Sequence, residues 1–267
     1  MVIDGKAIAE SIYEELAPRF QALGKEVKLG IVIVGENPVI ESFVRIKTRA
    51  AERLGVRMMR KDLPASASES DIVSALTQLS LQTNAVIPQL PLPKGINVNN
   101  VLSAVAPGKD VDALNPKIAE EDRPVHAPVA LAVVEILKRN DIKIEGARTT
   151  VVGAGRLVGA PSAWLLRKLG ANVSMFTLEE GSIDDLKDAD IVVSGIGKPG
   201  YIKPEHIMEG VALIDAGTSE LNKKIQGDAD PACAEKASIF TPVPGGVGPI
   251  AVAMIFRNLL ALVKQNI

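Results

Sequence analysis

This chain of 267 residues is poor in the side chains that form disulfides and metal clusters. It has one cysteine, Cys233, and two histidines, His126 and His206. A single cysteine excludes an intrachain disulfide framework and is typical of a reducing compartment. The two histidines lie far apart in the sequence and do not form a ligand motif. We therefore expect neither structural disulfides nor a bound metal.

The chain also lacks an excess of charge, with 30 basic and 32 acidic residues and a net charge of −2. This balance offers no general attraction to a nucleic-acid backbone or an anionic membrane. Residues 1–6 lack the apolar core of a signal peptide, and no uncharged apolar run approaches the length that spans a bilayer. We expect a cytoplasmic protein without nucleic-acid or membrane partners.

Apolar runs alternate with helical patterns along the chain, which predicts an α/β fold with mainly parallel sheets. The polar segment 115–125 indicates a domain boundary. We predict one domain from residues 1–120, completed by a final helix within residues 250–267. Residues 121–249 are predicted to form a second domain, a doubly wound, Rossmann-like unit.

Capping residues and prolines indicate where the predicted helices and strands begin and end. Asn37 is a predicted N-cap with Pro38 at the first helical position, and Ser68 with Asp71 resembles a capping box. The proline-rich segment 88–93 is predicted to lie outside any strand ladder. Helices are predicted over residues 5–23, 38–54, 68–81, 128–139, 157–169 and 250–263, and strands over 28–34, 58–61, 85–87, 149–152, 172–176, 191–194, 212–214 and 237–240.

A glycine-rich turn follows the predicted strand that ends at Val152. Gly153, Gly155 and Gly159 have the spacing Gly-x-Gly-x-x-x-Gly, with Ala154 and Arg156 between them. Such glycines allow a tight turn and let a pyrophosphate approach the N-terminus of the next helix. The spacing is one residue longer than the commonest dinucleotide fingerprint, so ordinary strand–helix packing is an equal alternative for the turn alone.

Residues after the following strands favour the dinucleotide interpretation. Thr177 and Glu179 follow the next predicted strand, at about the distance where a ribose-binding residue is expected. Gly197 and Thr218 follow the two strands after it. Parallel strands bring their carboxyl ends to one edge of a sheet, where ligands bind. We therefore predict a nicotinamide dinucleotide site at this edge.

Lys47 lies four residues after Phe43 on the predicted helix, so both share one face, close to apolar neighbours. A buried lysine has a lowered pKa and exchanges protons near neutral pH, whereas most helical lysines extend to solvent. Gln89 could bind this amine or tie down its own loop. Asp112 could accept hydrogen bonds from a ring with N–H donors or cap a helix.

The most distinctive segment is residues 241–249, Thr-Pro-Val-Pro-Gly-Gly-Val-Gly-Pro. Its prolines fix the backbone, and Gly245 with Gly246 exposes peptide against which a flat ligand can lie. A stiff connector between a strand and a helix is the alternative for an isolated cluster of this kind. Because the segment accompanies the motifs above, a ligand-binding loop is favoured.

Together these segments resemble the bifunctional methylenetetrahydrofolate dehydrogenase/cyclohydrolase family over essentially the whole chain. The resemblance implies oxidation of 5,10-methylenetetrahydrofolate with NAD or NADP, then hydrolysis of the methenyl product to 10-formyltetrahydrofolate. It also implies a role in one-carbon metabolism and purine biosynthesis, a folate cleft flanked by both domains, and a homodimer. The matching motifs are residues 37–47, 89–93, 109–112, 153–161, 215–217, 227–228 and 241–249.

The resemblance also implies roles for individual residues. Lys47 matches the proton-handling lysine, Gln89 the residue that holds and tunes it, and Asp112 the pterin anchor. Substrate contacts are implied at Phe43, Leu90, Pro91, Pro244, Gly245 and Gly246. Two alternatives stay open: a different two-domain dehydrogenase, and a paralogue that lacks the cyclohydrolase activity or binds without catalysis.

The chain departs from the family pattern near the folate. Phe43 stands where the family usually has tyrosine, and Ile40 where a small polar residue is usual. The Phe43 ring can still stack on the aminobenzoyl group of the folate, but the hydroxyl is missing. Our hypothesis is that hydride transfer is retained while the cyclohydrolase activity is weakened.

A second departure concerns the nucleotide. Ala154 occupies a position that is often arginine in NADP-using members, and Glu179 with Glu180 stands where serine and basic residues often meet the extra phosphate. Carboxylates favour a ribose 2′-hydroxyl and repel a 2′-phosphate. Arg156 remains nearby as a possible partner for that phosphate. The sequence nevertheless predicts a preference for NAD.

Overall fold

The computed structural model describes residues 1–221 and 224–265 and divides the chain into two compact units. The Lys47 unit consists of Glu10–Pro128 and the chain from Val252 onward. The glycine-loop unit consists of Met1–Ala9 and Val129–Ala251. Both units contain parallel sheets, as the alternating pattern predicts.

The first half of the chain supplies the elements of the Lys47 unit. Strand β1 lies between β2 and β3, and both pairings are parallel. The core under this sheet includes Val32, Ile72 and Leu76. The elements are α1 (Gly5–Gln21), β1 (Val27–Val34), α2 (Pro38–Arg53), β2 (Val56–Leu63), α3 (Glu69–Gln82), β3 (Ala85–Pro88) and α4 (Val98–Ser103).

The predicted caps of α2 and α3 are confirmed. The side chain of Asn37 accepts hydrogen bonds from the backbone N–H groups of Val39 and Ile40, with Pro38 at the first position of the helix. Ser68 and Asp71 form a reciprocal capping box. These local bonds satisfy the N–H groups that a helix start leaves without partners.

The prediction that residues 88–93 lie outside the ladder is wrong for Pro88. This residue ends β3 and pairs with Val32 of β1. Strand β3 is an edge of its sheet, where a missing N–H donor removes no ladder bond. The next residue, Gln89, still donates its backbone N–H to the Val32 carbonyl oxygen at 2.9 Å.

The glycine-loop unit is a five-stranded parallel sheet in the order β10-β7-β6-β4-β5. From β4 the chain proceeds to β5 on one side and returns as β6 on the other, so the order reverses between β4 and β6. The second half of the chain supplies α5 (Pro128–Arg139), β4 (Arg148–Val152), α6 (Gly159–Lys168), β5 (Asn172–Phe176), β6 (Ile191–Ser194), β7 (Ala212–Asp215), β8 (Ser219–Leu221), β9 (Lys224–Gln226), β10 (Ile239–Phe240) and α7 (Val247–Gln265), of which α7 belongs mostly to the Lys47 unit.

Residues 1–9 belong to the glycine-loop unit, although they were predicted to belong with residues 10–120. Val2 forms a bridge with Phe240, and the Ile3 N–H donates to the Phe240 carbonyl oxygen at 2.8 Å. The N-terminal ammonium group donates to the carbonyl oxygen of Ser238. These contacts join residues far apart in sequence, which local patterns do not reveal.

Helix α7 begins at Val247, three residues before the predicted start, and Pro249 lies within its first turn. By length and composition this helix could span a membrane. It contains Arg257 and Lys264, so it is not the uncharged apolar run that the sequence was predicted to lack. In this structure 67% of it is buried, as in the core helices of soluble domains. From Val252 onward it belongs to the Lys47 unit, where Asn258 donates to the carbonyl oxygens of Val111 and His126, each at 2.8 Å.

Candidate active site

Lys47 lies on the buried stripe of α2. Buried apolar residues lie at helical spacing on both sides of it, namely Ile40 and Val44 before it and Ala51 after it. The alternative that the Lys47 ammonium group reaches solvent is wrong, because only 9% of this residue is exposed. The helix therefore places one titratable group among apolar neighbours, where its charged form is destabilised.

Gln89 is the hydrogen-bond partner of this amine. Lys47 Nζ donates to Gln89 Oε1 at 2.8 Å, and Gln89 is itself buried. The other side-chain atom, Nε2, donates to the carbonyl oxygen of Leu90 at 2.7 Å. Both roles considered for Gln89 are therefore present at once, and the second bond fixes which end of the amide faces Lys47.

Burial and charge act on Lys47 in opposite directions. Burial lowers the pKa of the Lys47 amine below its usual value, and the nearby Asp112 carboxylate offsets part of this effect. Burial likewise raises the pKa of Asp112, and Lys47 opposes that shift. The amine therefore gives up its proton more readily than a lysine in water.

Asp112 is half-buried in a turn, and no helix begins directly after it. The alternative that Asp112 caps a helix is therefore wrong. In the described part of the chain its carboxylate makes no hydrogen bond. The two charged residues before it serve the fold. Lys109 Nζ donates to the carbonyl oxygens of Ser80 and Thr83 at the end of α3. Asp110 accepts from the Leu114 and Asn115 N–H groups, at 2.8 and 2.7 Å, and burial raises its pKa to about 6.

The other residues implied as substrate contacts divide between the units. In the Lys47 unit, Phe43 and Leu90 are half-buried and Pro91 is exposed. In the glycine-loop unit, Pro244 is exposed, Gly245 is half-buried and Gly246 is buried. The turn that holds these last three residues is fixed by a hydrogen bond of 2.7 Å from the Gly246 N–H to the Pro242 carbonyl oxygen.

The glycine turn after β4 is closely packed at both ends. Gly153 has a φ of +102°, and a Cβ atom there would lie 2.9 Å from the Gly195 carbonyl oxygen in the turn after β6. A Cβ on Gly159 would lie 1.8 Å from the Gly153 carbonyl oxygen. Chain packing therefore explains these two glycines without any ligand.

Gly155 has no such explanation. It is exposed, its φ is not in the left-handed region, and a Cβ atom there would meet no atom within 4 Å. Its neighbours Ala154 and Arg156 are exposed as well. A bare, open backbone before the N-terminus of α6 fits a pyrophosphate, which needs close approach to N–H groups and a helix dipole. The residues present therefore fit a dinucleotide.

The remaining residues of the predicted nucleotide site lie at the same edge of the sheet. Thr177 and Glu179 follow β5, Gly197 follows β6 and Thr218 follows β7. Glu179, Gly197 and Thr218 are exposed, whereas the Thr177 hydroxyl accepts from the N–H groups of Glu179 and Glu180 and shapes their turn. The reversal of strand order between β4 and β6 is where open α/β sheets bind ligands.

Two buried carboxylates in this unit had no role assigned from the sequence. Asp215 ends β7 and Asp228 follows the β8–β9 hairpin, and both are almost fully buried. Burial raises the pKa of Asp215 to about 7, while N–H groups of Ala229 and Gly217 lower it. The segments 215–217 and 227–228 were recognised as motifs in the sequence. The groups that contact these two carboxylates follow different strands, so the sequence did not reveal that they come together.

The described residues contain no group of three or more histidine, cysteine, aspartate or glutamate side chains that could hold a metal ion. Cys233 is buried in the core of the glycine-loop unit, and burial raises the pKa of its thiol to about 11. A thiol of this kind is not a reactive nucleophile at neutral pH.

Two family models together match most of the chain. Residues 3–112 match the catalytic domain of tetrahydrofolate dehydrogenase/cyclohydrolase, and residues 127–267 match its NAD(P)-binding domain. The bifunctional protein FolD of Methanoculleus marisnigri is 38% identical, over 99% of this chain and 96% of the relative.

Two solved structures are similar over the whole chain. The bifunctional FolD enzyme of Campylobacter jejuni has a TM-score of 0.94 and 29% identity, covering 100% of this chain and 99% of that one. FolD of Trypanosoma brucei, complexed with NADP cofactor and inhibitor, has a TM-score of 0.93 and 32% identity, covering 100% and 98%.

Proposed function

This chain belongs to the tetrahydrofolate dehydrogenase/cyclohydrolase family, and we propose that it catalyses both reactions. The first oxidises 5,10-methylenetetrahydrofolate to the 5,10-methenyl cation and reduces NAD or NADP. The second adds water to that cation and yields 10-formyltetrahydrofolate and a proton. The buried Lys47–Gln89 pair carries the proposal, because a pure binding protein does not need a lysine kept readily deprotonated.

The first step removes a hydride from the one-carbon bridge, and a bound nicotinamide would supply the acceptor for it. No proton moves with the hydride, so the protein contributes by orientation rather than by acid–base strength. Asp112 is suited to hold the N–H donors of the pterin, because its carboxylate has no hydrogen bond within the described chain. Phe43 offers a ring on which the aminobenzoyl group can stack. Gly155 and the start of α6 are suited to hold the pyrophosphate.

The second step needs proton transfer, and Lys47 is suited to it. Water attacks the methenyl carbon, and a base must take a proton from that water as the new C–O bond forms. Burial lowers the pKa of Lys47, so more of its amine is unprotonated at neutral pH. Gln89 holds the amine in one place through the bond to Oε1. We assign Lys47 as the general base.

Our proposal for the nucleotide is a preference for NAD. The exposed Glu179 lies after β5, and Ala154 brings no charge to the glycine turn. A carboxylate at this edge favours a ribose 2′-hydroxyl and repels a 2′-phosphate. The exposed Arg156 in the glycine turn acts in the other direction, because its charge favours the 2′-phosphate of NADP. Glu179→Ser tests the balance, since it should improve the kcat/KM ratio of NADP to NAD.

For the assembly and location we propose a cytoplasmic homodimer. Among the described residues, strand β5 is an edge of the sheet in the glycine-loop unit and pairs with β4 on one side. Exposed apolar side chains lie on and beside it, including Met175 and Leu178. An unpaired strand edge beside exposed apolar side chains can pair with a second copy of the chain. Sedimentation of the wild type beside Met175→Lys measures whether this edge carries the dimer.

Two spectrophotometric assays test the proposed function. Purified protein is mixed with methylenetetrahydrofolate and NAD or NADP, and reduced nicotinamide and methenyl product are followed by absorbance. Loss of methenyl absorbance without nucleotide measures the cyclohydrolase separately. Turnover in both assays is expected, with the higher kcat/KM for NAD. Folate binding without turnover would instead identify a non-catalytic paralogue, and neither binding nor turnover would point to another substrate.

A further inference from the structure

Asp228 holds the turn that follows β6. Its Oδ2 accepts hydrogen bonds from the Ser194 hydroxyl and the Ile196 N–H, each at 2.8 Å. Its Oδ1 accepts from the Lys198 N–H at 2.7 Å. The residue is completely buried. One carboxylate therefore fixes both the start and the end of the turn, residues 194–198.

Asp228 is itself held by Asp215. The Asp215 carboxylate accepts from the N–H groups of Gly217, Asp228 and Ala229, at 2.9, 3.1 and 2.8 Å. A Cβ atom on Gly217 would lie 2.3 Å from the Asp228 carboxyl carbon, so the segment after β7 closes directly over this group. The Thr241 hydroxyl accepts from the Asp215 N–H at 2.6 Å and donates to its carbonyl oxygen at 3.0 Å. The segments that follow β6, β7, β9 and β10 therefore meet at two residues, Asp215 and Asp228.

The turn held by Asp228 touches the glycine turn after β4. The Gly195 carbonyl oxygen is the atom that a Cβ on Gly153 would approach to 2.9 Å. A Cβ on Gly195 would in turn lie 2.4 Å from a Val158 methyl group just before α6. Residues 194–198 therefore form one wall at the reversal of strand order, and the glycine turn forms the other. A displacement of the first wall changes the space available for a dinucleotide.

We propose that Asp228 is a positioning residue for the dinucleotide, acting through the turn 194–198 rather than by contact with the ligand. This inference rests on the proposed function for the identity of the ligand. A carboxylate is needed because three donors converge on both of its oxygen atoms. Asparagine has one acceptor oxygen, so its NH₂ group must face either the Ile196 N–H or the Lys198 N–H.

Asp228→Asn tests the proposal with little change in volume. Loss of an acceptor for a buried N–H should loosen one end of the turn and raise the Kd and the KM for the dinucleotide about 10-fold. The Kd is measured by fluorescence titration with NADH and, separately, NADPH, which needs no turnover. The cyclohydrolase reaction uses no nucleotide, so its kcat and KM should stay within about twofold of wild type.

Asp230→Asn is the matched control, since it makes the same chemical change two residues away. The Asp230 carboxylate accepts a hydrogen bond from the Ala232 N–H at 2.9 Å, and an asparagine side chain can accept it equally well. Its dinucleotide Kd should equal that of wild type. Ser194→Ala serves if Asp228→Asn does not fold. It removes one of the three donors, and a rise of about threefold in the Kd is expected.

These experiments distinguish failure of the positioning role of Asp228 from failure of the proposed function. A wild-type dinucleotide Kd in the folded Asp228→Asn protein overturns the positioning role, as does an equal loss of both activities that follows a lowered melting temperature. With Asp228→Asn unfolded, a wild-type Kd in Ser194→Ala also overturns it. Absence of dehydrogenase turnover in wild type refutes the proposed function instead, and the NADH and NADPH titrations still decide the role of Asp228.

Discussion

The buried amine of the Lys47 unit and two buried carboxylates of the glycine-loop unit differ in the number of hydrogen bonds they make. Among the described residues, the buried Lys47 amine has one hydrogen-bond partner, Gln89, and a carboxylate nearby. In the glycine-loop unit, Asp215 and Asp228 each accept three hydrogen bonds from backbone N–H or hydroxyl donors. Burial alone therefore does not distinguish a reactive group from a structural one. The number of bonds already made does, since a saturated carboxylate fixes the chain while an undersaturated amine can exchange protons.

The largest effect expected from this contrast is on cyclohydrolase turnover. Lys47→Met removes the proposed base, and kcat should fall about 10²- to 10⁴-fold, the usual contribution of general base catalysis. Lys25→Met, an exposed lysine of the same unit, is the control and should retain wild-type turnover. Methenyl hydrolysis measured without nucleotide decides the point. Equal rates in Lys47→Met and wild type would show that the buried amine is structural.

The glycine turn offers a pair of substitutions with opposite readouts. Gly159→Ala places a Cβ against the Gly153 carbonyl oxygen and should lower the free energy of unfolding by about 1–3 kcal/mol. Gly155→Ala meets only open space, so its stability should stay within about 0.5 kcal/mol of wild type. Its KM for the dinucleotide should nevertheless rise about 10-fold, because the methyl group blocks close approach of the pyrophosphate.

Thermal melting and dinucleotide kinetics of both variants test this contrast. The cyclohydrolase reaction is the internal control, because it needs no nucleotide. A Gly155→Ala protein with wild-type stability and wild-type KM would contradict the assignment of this turn to the pyrophosphate.

Lys47→Met should also stabilise the protein, by about 0.5–2 kcal/mol at neutral pH, as active-site groups often cost stability. The pKa of Lys47 is lowered on folding, so between that pKa and the usual value near 10.5 the unfolded chain binds more protons. Wild-type stability therefore rises with pH in this window. The difference between wild type and Lys47→Met should be largest at low pH and shrink toward pH 10. Urea unfolding at several pH values measures it, and a pH-independent difference would contradict burial as the cause.

The smallest effect concerns the ring on α2. Phe43→Tyr restores the hydroxyl that the family usually carries, and one added hydrogen bond should raise cyclohydrolase kcat about 2- to 10-fold. The dehydrogenase rate of the same variant is the control and should change less, because hydride transfer needs position rather than protons. Equal cyclohydrolase rates in both proteins would count against a weakened hydrolysis step.

Sequence patterns predicted the elements of both sheets because their signals are local. The Asn37 cap and the Ser68–Asp71 box each involve residues within one turn of their own helix. The β-branched runs of β1 and β4 predict buried strands. Boundaries were less exact. Helix α6 begins at Gly159 rather than Leu157, and β10 covers only Ile239–Phe240 instead of residues 237–240. Differences of this size are usual, because the ends of helices fray and often finish in a tighter turn.

By itself the sequence determined the succession of strands and helices, the position of Lys47 on an apolar stripe and the glycine turn before α6. The tertiary structure decided how Gln89 is oriented toward Lys47, that residues 1–9 join the glycine-loop unit, and that Asp228 holds the turn after β6. The reason is physical: hydrogen bonds and burial act between groups that are close in space, and these partners are separated by tens to hundreds of positions along the chain.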